Sequence, residues 1–153
     1  MRKKNFAARH WLLMIPLALA PLALAQPPDV QIWTSLTSGI KYKLTVSESR
    51  LAAEKMFPPE YQPQVDHGAY VRCEYSRQGE TWVGECGSKL PFAGAKNRPK
   101  WCTFRFASKI TSFTPARIEG ESEVWDAGDV DVDKCELRKT HMQRFVWVRK
   151  VEP

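Results

Sequence analysis

The stretch that decides the fold is Ala69 to Leu90, AYVRCEYSRQGETWVGECGSKL. It consists of two arms rich in Tyr, Val and Trp, with Gln78-Gly79 between them and one cysteine in each arm. Aromatic and β-branched residues on both sides of a glycine turn predict a β-hairpin.

The register of the hairpin depends on the length of its loop. If the loop spans 78–81, Cys73 lies opposite Cys86, and Tyr75 lies opposite Gly84, which has no side chain to compete for space. A two-residue turn at 78–79 would move Cys86 by one pair along the ladder. The sequence favours the first register and leaves the second open.

The chain has four cysteines, an even number, and this favours two disulfides over free thiols in an exported protein. The hairpin predicts Cys73–Cys86, which leaves Cys102–Cys135. Each bridge would stabilise the fold by roughly 3–4 kcal/mol on the chain-entropy model. A zinc site is the alternative, but there is no C-x-x-C motif and only two histidines follow residue 25.

Residues 1–25 have the three parts of a secretory signal peptide. The basic residues come first, an apolar run from Leu12 to Leu22 follows, and Ala23-Leu24-Ala25 forms a small-x-small cleavage site. The apolar run is too short to span a membrane. We therefore expect cleavage, export to the periplasm or the medium, and no transmembrane span in the mature chain.

Removal of this segment changes the charge argument. The whole chain has 23 Lys and Arg against 17 Asp and Glu, a net charge of +6. Four of the basic residues lie in residues 1–25, so the mature chain keeps 19 basic against 17 acidic residues, a net charge of about +2. Nucleic acid binding loses its compositional support, because it depends on a marked excess of positive charge.

Residues 26–153 are expected to form a single domain. Alternating apolar and polar residues predict strands at 39–47 and 117–125, and aromatic and apolar residues indicate further strands at 101–107 and 144–151. Ser47 is a candidate N-cap for a short helix over 48–56. The predicted fold is mainly β, an antiparallel sandwich or barrel of six to seven short strands with one short N-terminal helix and two disulfides.

An acidic segment follows the strand at 117–125 and suggests a calcium site. Its candidate ligands are the four aspartates Asp126, Asp129, Asp131 and Asp133. Alternate aspartates copy the first three ligand positions of a calcium loop, but Lys134 replaces the required Gly and Thr140 replaces the bidentate Glu. A Cys102–Cys135 bridge would also bring this segment beside Lys96, Arg98 and Lys100, so that opposite charges would neutralise each other.

A row of carboxylates and one tryptophan share a face of the strand at 117–125. Glu119, Glu121 and Glu123 lie roughly 7 Å apart along it, with Trp125 after them. Paired carboxylates can hydrolyse glycosides, whereas an exposed tryptophan can stack on sugars or anchor a protein. A solvated face opposite a basic strand is the plainer interpretation.

The function that these observations favour is a non-catalytic binding module for an envelope component, a polysaccharide or a protein. The residues proposed for binding are Trp125, Glu119, Glu121, Glu123, Lys96 and Arg98. One alternative is a small extracellular hydrolase that uses the glutamate face or Asp66-His67, and another is a calcium-stabilised structural domain. No catalytic residue and no cofactor other than calcium is assigned.

Overall fold

The computed structural model describes residues 29–93 and 98–149, which form ten strands, one short α-helix, short 3-10 helices and connecting turns. The predicted signal peptide and Lys96 lie outside the described residues. None of the described helices is long and apolar enough to cross a membrane. The elements are β1 (Asp29–Ser35), β2 (Lys41–Val46), β3 (Arg50–Met56), α1 (Gln62–Asp66), β4 (Tyr70–Gln78), β5 (Thr81–Ala93), β6 (Pro99–Phe113), β7 (Arg117–Val124), β8 (Val130–Asp131), β9 (Glu136–Leu137) and β10 (His141–Arg149).

Eight of these strands form a closed antiparallel barrel in the order β1-β10-β7-β6-β5-β4-β3-β2. The remaining two, β8 and β9, form a separate two-stranded sheet. The mainly β fold, the antiparallel barrel and both disulfides are thus confirmed, and the strand count is slightly higher than predicted. Closure leaves no free edge on the barrel, which removes the unpaired backbone groups that promote aggregation.

The hairpin of β4 and β5 has the favoured register. Cys73 pairs with Cys86 and forms a disulfide with it, and Tyr75 pairs with Gly84. A Cβ at Gly84 would lie 2.5 Å from the Tyr75 ring, so any residue larger than glycine would clash with that ring. Gly79 has a φ of +63°, a left-handed conformation that glycine adopts without strain at the turn.

The helix predicted over 48–56 is wrong, because this segment forms β3. Leu51 and Ala53 are buried and alternate with more exposed residues, which is the period of a strand. The Ser47 hydroxyl accepts a hydrogen bond from the backbone N–H of Arg50 at 3.2 Å, as it would at a helix start, but here it closes the turn between β2 and β3. The one short α-helix of the described residues is α1, in a segment where no helix is predicted from the sequence.

Large side chains fill one part of the barrel. Trp33, Trp82 and Phe113 meet there, with ring centroids 5.8 Å apart between Trp82 and Phe113 and 6.4 Å between Trp33 and Phe113. Around them lie apolar side chains that are almost fully buried: Leu44, Leu51, Ile110 and Ile118. Burial of this kind contributes about 1.5–3 kcal/mol per large side chain, so this cluster supplies much of the stability.

A second, smaller core lies beside the barrel. Strands β5 and β6 are longer than the other barrel strands, with 13 and 15 residues. The segment that carries β8 and β9 packs against them, and its buried residue Val130 joins Cys102 and Phe104. The Cys102–Cys135 disulfide ties this segment to β6, as predicted.

Candidate functional site: a cavity in the barrel

A cavity of about 310 Å³ lies inside the barrel next to the filled part. An eight-stranded barrel has an interior just wide enough to be filled by side chains or to hold one small ligand. Along the barrel strands the inward-facing side chains change from large to small, and this change explains why a cavity remains here. On β1 the buried Trp33 is followed two residues later by Ser35, and on β6 Ile110 is preceded by Ser108. Trp33 and Ile110 fill the barrel interior in their own layer, whereas the small serines leave space in the neighbouring layer.

Three aromatic side chains form one wall of this cavity, which we call the aromatic wall: Tyr42, Phe145 and Trp147. The Trp147 ring lies between the other two, with centroids 4.6 Å from each and interplanar angles of 25° and 27°. Ser35 pairs with Trp147 across β1 and β10, and its small side chain leaves room for Tyr42 of β2 to reach that ring. Burial raises the pKa of the Tyr42 hydroxyl.

A buried pair of hydroxyls supplies the polar part of the cavity lining. The Tyr75 hydroxyl and the Ser108 Oγ lie 2.9 Å apart and share a hydrogen bond, and the Ser108 Oγ also donates to the Glu121 carbonyl at 3.4 Å. Tyr75 and Ser108 are only 2% and 4% exposed. Burial raises the pKa of Tyr75 to about 12, although the hydrogen bond with Ser108 acts in the opposite direction. Tyr75 therefore stays neutral near pH 7. Because the Ser108 hydroxyl donates to the Glu121 carbonyl, the Tyr75 hydroxyl donates to Ser108, and the two oxygens keep lone pairs that can accept a hydrogen bond from a ligand.

Charged side chains complete the lining. Lys55 lies on the inward face of β3, the same face as Leu51 and Ala53, and its cross-strand partner is Tyr42. Burial lowers the pKa of Lys55. Arg144 and Glu123 also line the cavity, and the Glu123 carboxylate accepts a hydrogen bond from the backbone N–H of Ala107 at 2.8 Å.

The predicted glutamate face does not form one cluster. Glu119 pairs with Arg117 of the same strand at 2.5 Å, whereas Glu121 lies opposite Arg144 in the ladder of β7 and β10. Glu123 is the member of the row that lines the barrel cavity. The face is therefore divided in two, because Glu119 and Glu121 line a separate pocket of about 290 Å³ with Arg144, whereas Glu123 lines the barrel cavity.

Trp125 is half-buried, although the sequence predicts an exposed position. Its ring packs against Phe104 and Phe106 of β6, with centroid distances of 5.4 and 5.1 Å. It reaches them because the chain leaves β7 after Val124 and turns toward the longer β6. Trp125 lines the cavity from this position, so it remains in the candidate site, but as part of the wall and not as a free surface ring.

The acidic segment carries its own positive partners. Asp131 accepts hydrogen bonds from the Arg138 guanidinium and the backbone N–H of Lys134, both at 3.1 Å, and these bonds lower its pKa. The Lys100 ammonium donates to the Asp133 carbonyl, so the predicted proximity of the basic and acidic loops is confirmed at this contact. Within 29–93 and 98–149, no group of three or more His, Cys, Asp or Glu side chains is placed to hold a metal ion.

The remaining predicted residues lie away from the cavity. Arg98 is exposed beside the undescribed residues 94–97. Asp66 and His67 are exposed at the end of α1, where the Asp66 carboxylate accepts a hydrogen bond from the Gln62 side chain at 2.7 Å. Neither belongs to the cavity lining.

Most of the cavity residues could not be predicted from the sequence. Tyr42, Lys55, Ser108 and Trp147 come from four different strands and share no local motif. One signal was available: serine occupies inward positions of β1, β6 and β7 where alternation predicts a large apolar residue. No protein family, no curated protein and no solved structure matches this chain.

Proposed function

We propose that the protein is a non-catalytic binding protein whose barrel cavity takes one small, mainly apolar ligand with a hydrogen-bonding group. The observation that carries this proposal is a buried hydroxyl pair, Tyr75 and Ser108, in the wall of a cavity whose lining includes five further aromatic rings. Small-molecule sites are typically apolar pockets of about 300–1,000 Å³ with a few placed polar groups. The volume of about 310 Å³ lies at the lower end of that range.

The geometry favours a small ligand over the polysaccharide or protein that the sequence suggests. The large side chains around Trp33, Trp82 and Phe113 fill the adjoining part of the barrel, so a polymer could not pass through it. Trp125 is packed against β6 and is not available as a free surface anchor.

Catalysis has less support than binding. Among the described residues that line the cavity there is no histidine to activate the Ser108 hydroxyl. Glu119, one of the carboxylates of the hydrolase alternative, is occupied by Arg117. The two disulfides indicate an oxidising compartment, which fits the predicted export and a binding role outside the cytoplasm.

A neutral fluorescent probe tests the proposal. N-phenyl-1-naphthylamine increases its fluorescence in apolar sites, and we expect a saturable increase with the wild-type protein. Ser122→Leu places a larger side chain in the cavity and should abolish the increase. Ser76→Leu makes the same change at an exposed position on β4 and should leave binding unchanged.

Circular dichroism of both variants establishes that the barrel is intact. Should Ser122→Leu fail to fold, Ser35→Val adds a smaller volume at another cavity position and serves the same purpose. Equal probe binding by the wild type and a folded cavity-filling variant would place the probe elsewhere and overturn the proposal. Absence of saturable binding by the wild type would overturn it as well.

A further inference from the structure

Four polar side chains form a continuous row along one layer of the cavity lining. Tyr75 pairs with Gly84, and Gly84 with Ser108, across β4, β5 and β6. Ser108 pairs with Ser122, and Ser122 with Gln143, across β6, β7 and β10. Because Gly84 has no side chain, the Tyr75 ring lies over it and its hydroxyl reaches Ser108 directly. The side chains of this polar row, Tyr75, Ser108, Ser122 and Gln143, all line the cavity.

The three hydroxyls of the polar row use their own protons within the protein. The Tyr75 hydroxyl donates to Ser108 at 2.9 Å, and the Ser108 hydroxyl donates to the Glu121 carbonyl at 3.4 Å. The Ser122 hydroxyl donates, at 3.3 Å, to the carbonyl oxygens of Ala107 and of the next residue on its own strand. Each of the three oxygens keeps a lone pair, so toward the cavity these hydroxyls act as hydrogen-bond acceptors.

Such a row requires the ligand to supply the proton. An ether, an ester or a carboxylate has only acceptors and cannot bond to it. An ammonium group can donate, but burying its charge beside neutral hydroxyls costs more free energy than burying a hydroxyl group. An alcohol donates to the row without adding charge, and its oxygen can also accept a hydrogen bond from the Tyr42 hydroxyl, which lines the same cavity.

The aromatic rings of the lining are largely covered by one another. Trp147 has Tyr42 on one face and Phe145 on the other, with both centroid distances 4.6 Å. Trp125 packs against Phe106 at 5.1 Å, close to edge-on. These rings present edges to the cavity more than open faces, and an alkyl chain can pack against edges, whereas a planar ligand would gain most from a free face on which to stack.

We infer that the cavity binds an aliphatic alcohol, whose hydroxyl donates to the oxygens of Tyr75, Ser108 and Ser122 and whose alkyl chain packs against the apolar lining. This inference rests on the proposed function and specifies the class of ligand. It differs from a general affinity for apolar molecules in one respect, because the ligand is selected by a proton that it donates.

The test compares two isomers, 1-octanol and methyl heptyl ether, of which only the alcohol can donate a hydrogen bond. In competition with bound N-phenyl-1-naphthylamine, 1-octanol should displace the probe at about tenfold lower concentration than the ether, the difference expected for one hydrogen bond. Ser122→Ala removes one acceptor and should reduce this preference. Ser76→Ala makes the same change at an exposed position of β4 and should leave the preference unchanged.

Ser108→Ala gives a sharper result, because it frees a proton inside the cavity. Without the Ser108 oxygen the Tyr75 hydroxyl can donate to a ligand, so the ether should gain affinity and the preference for the alcohol should disappear. Circular dichroism shows whether each variant is folded. If Ser108→Ala does not fold, Ser122→Ala, at a half-buried position, decides the test.

The outcomes separate this inference from the proposed function. If the probe binds but the two isomers displace it equally, or neither displaces it, the inference is overturned and the proposed function stands. The inference is also overturned if octanoate or octylammonium competes more strongly than 1-octanol, or if the preference for the alcohol is unchanged in the folded serine variants. If N-phenyl-1-naphthylamine shows no saturable binding, the proposed function fails together with the inference.

Discussion

Replacing Tyr75 with phenylalanine removes one buried hydroxyl from the cavity wall and keeps the ring that covers Gly84. At pH 7 the variant loses the hydrogen bond to Ser108, which contributes about 1 kcal/mol to the free energy of unfolding. Ser108 Oγ retains its bond to the Glu121 carbonyl, so no buried hydroxyl is left without a partner. We therefore expect Tyr75→Phe to be about 1 kcal/mol less stable than the wild type at neutral pH.

At high pH the order of stability should reverse. Burial raises the pKa of Tyr75 from 10.0 to about 12, so the folded state keeps its proton between these values while the unfolded chain loses it. The stabilisation is fully present below pH 10 and is lost as the pH rises toward 12, by about 2.7 kcal/mol in all. About half of that is lost at pH 11, so the variant should then be slightly more stable than the wild type.

Urea unfolding followed by tryptophan fluorescence measures this difference at steps from pH 7 to pH 11. Tyr70→Phe, at an exposed tyrosine of the same strand, serves as the matched control and should stay within about 0.5 kcal/mol of the wild type throughout. If the stabilities of wild type and Tyr75→Phe run parallel from pH 9 to pH 11, the argument that burial holds the proton on Tyr75 is refuted.

Three further predictions concern the rest of the fold. The double variant Cys102→Ser/Cys135→Ser opens a bridge with a sequence separation of 33 and should lower the free energy of unfolding by about 3–4 kcal/mol, and a loss below about 1 kcal/mol in urea titrations would contradict this. Gly84→Ala would place a Cβ 2.6 Å from the carbonyl oxygen of Glu74 and should lower the free energy of unfolding by about 1–3 kcal/mol. In the control Gly128→Ala the added Cβ meets no atom within 4 Å, so this variant should melt like the wild type. Equal melting temperatures for the two variants would argue against the close approach at Gly84. EDTA should leave the melting midpoint unchanged because the acidic segment already has cationic partners, and a decrease that excess calcium reverses would support the calcium hypothesis.

The hairpin of β4 and β5 could be predicted because its information is local. The cysteines, the glycine turn and the aromatic residues are close in sequence, and together they favour the register that forms, with a register shifted by one pair left open. The segment after Ser47 shows where local information is insufficient. A serine side chain can accept a hydrogen bond from a nearby backbone N–H both at the start of a helix and in a tight turn, so Ser47 is compatible with either structure. The segment forms a strand because Leu51 and Ala53 are buried in the barrel core, which is a tertiary contact.

The candidate site depended on closure of the barrel. The cavity residues Tyr42, Lys55, Ser108 and Trp147 lie on four strands. The sequence around each of them is typical of a β-strand and does not mark a site. Alternation shows that such a residue faces inward, but not which residues of distant strands share its layer. That arrangement follows from the strand order and the stagger between strands, which are properties of the closed sheet as a whole. The sequence by itself therefore determined most of the barrel strands and the disulfide pairs, and only the tertiary structure decided that serines and aromatic rings would meet around a cavity.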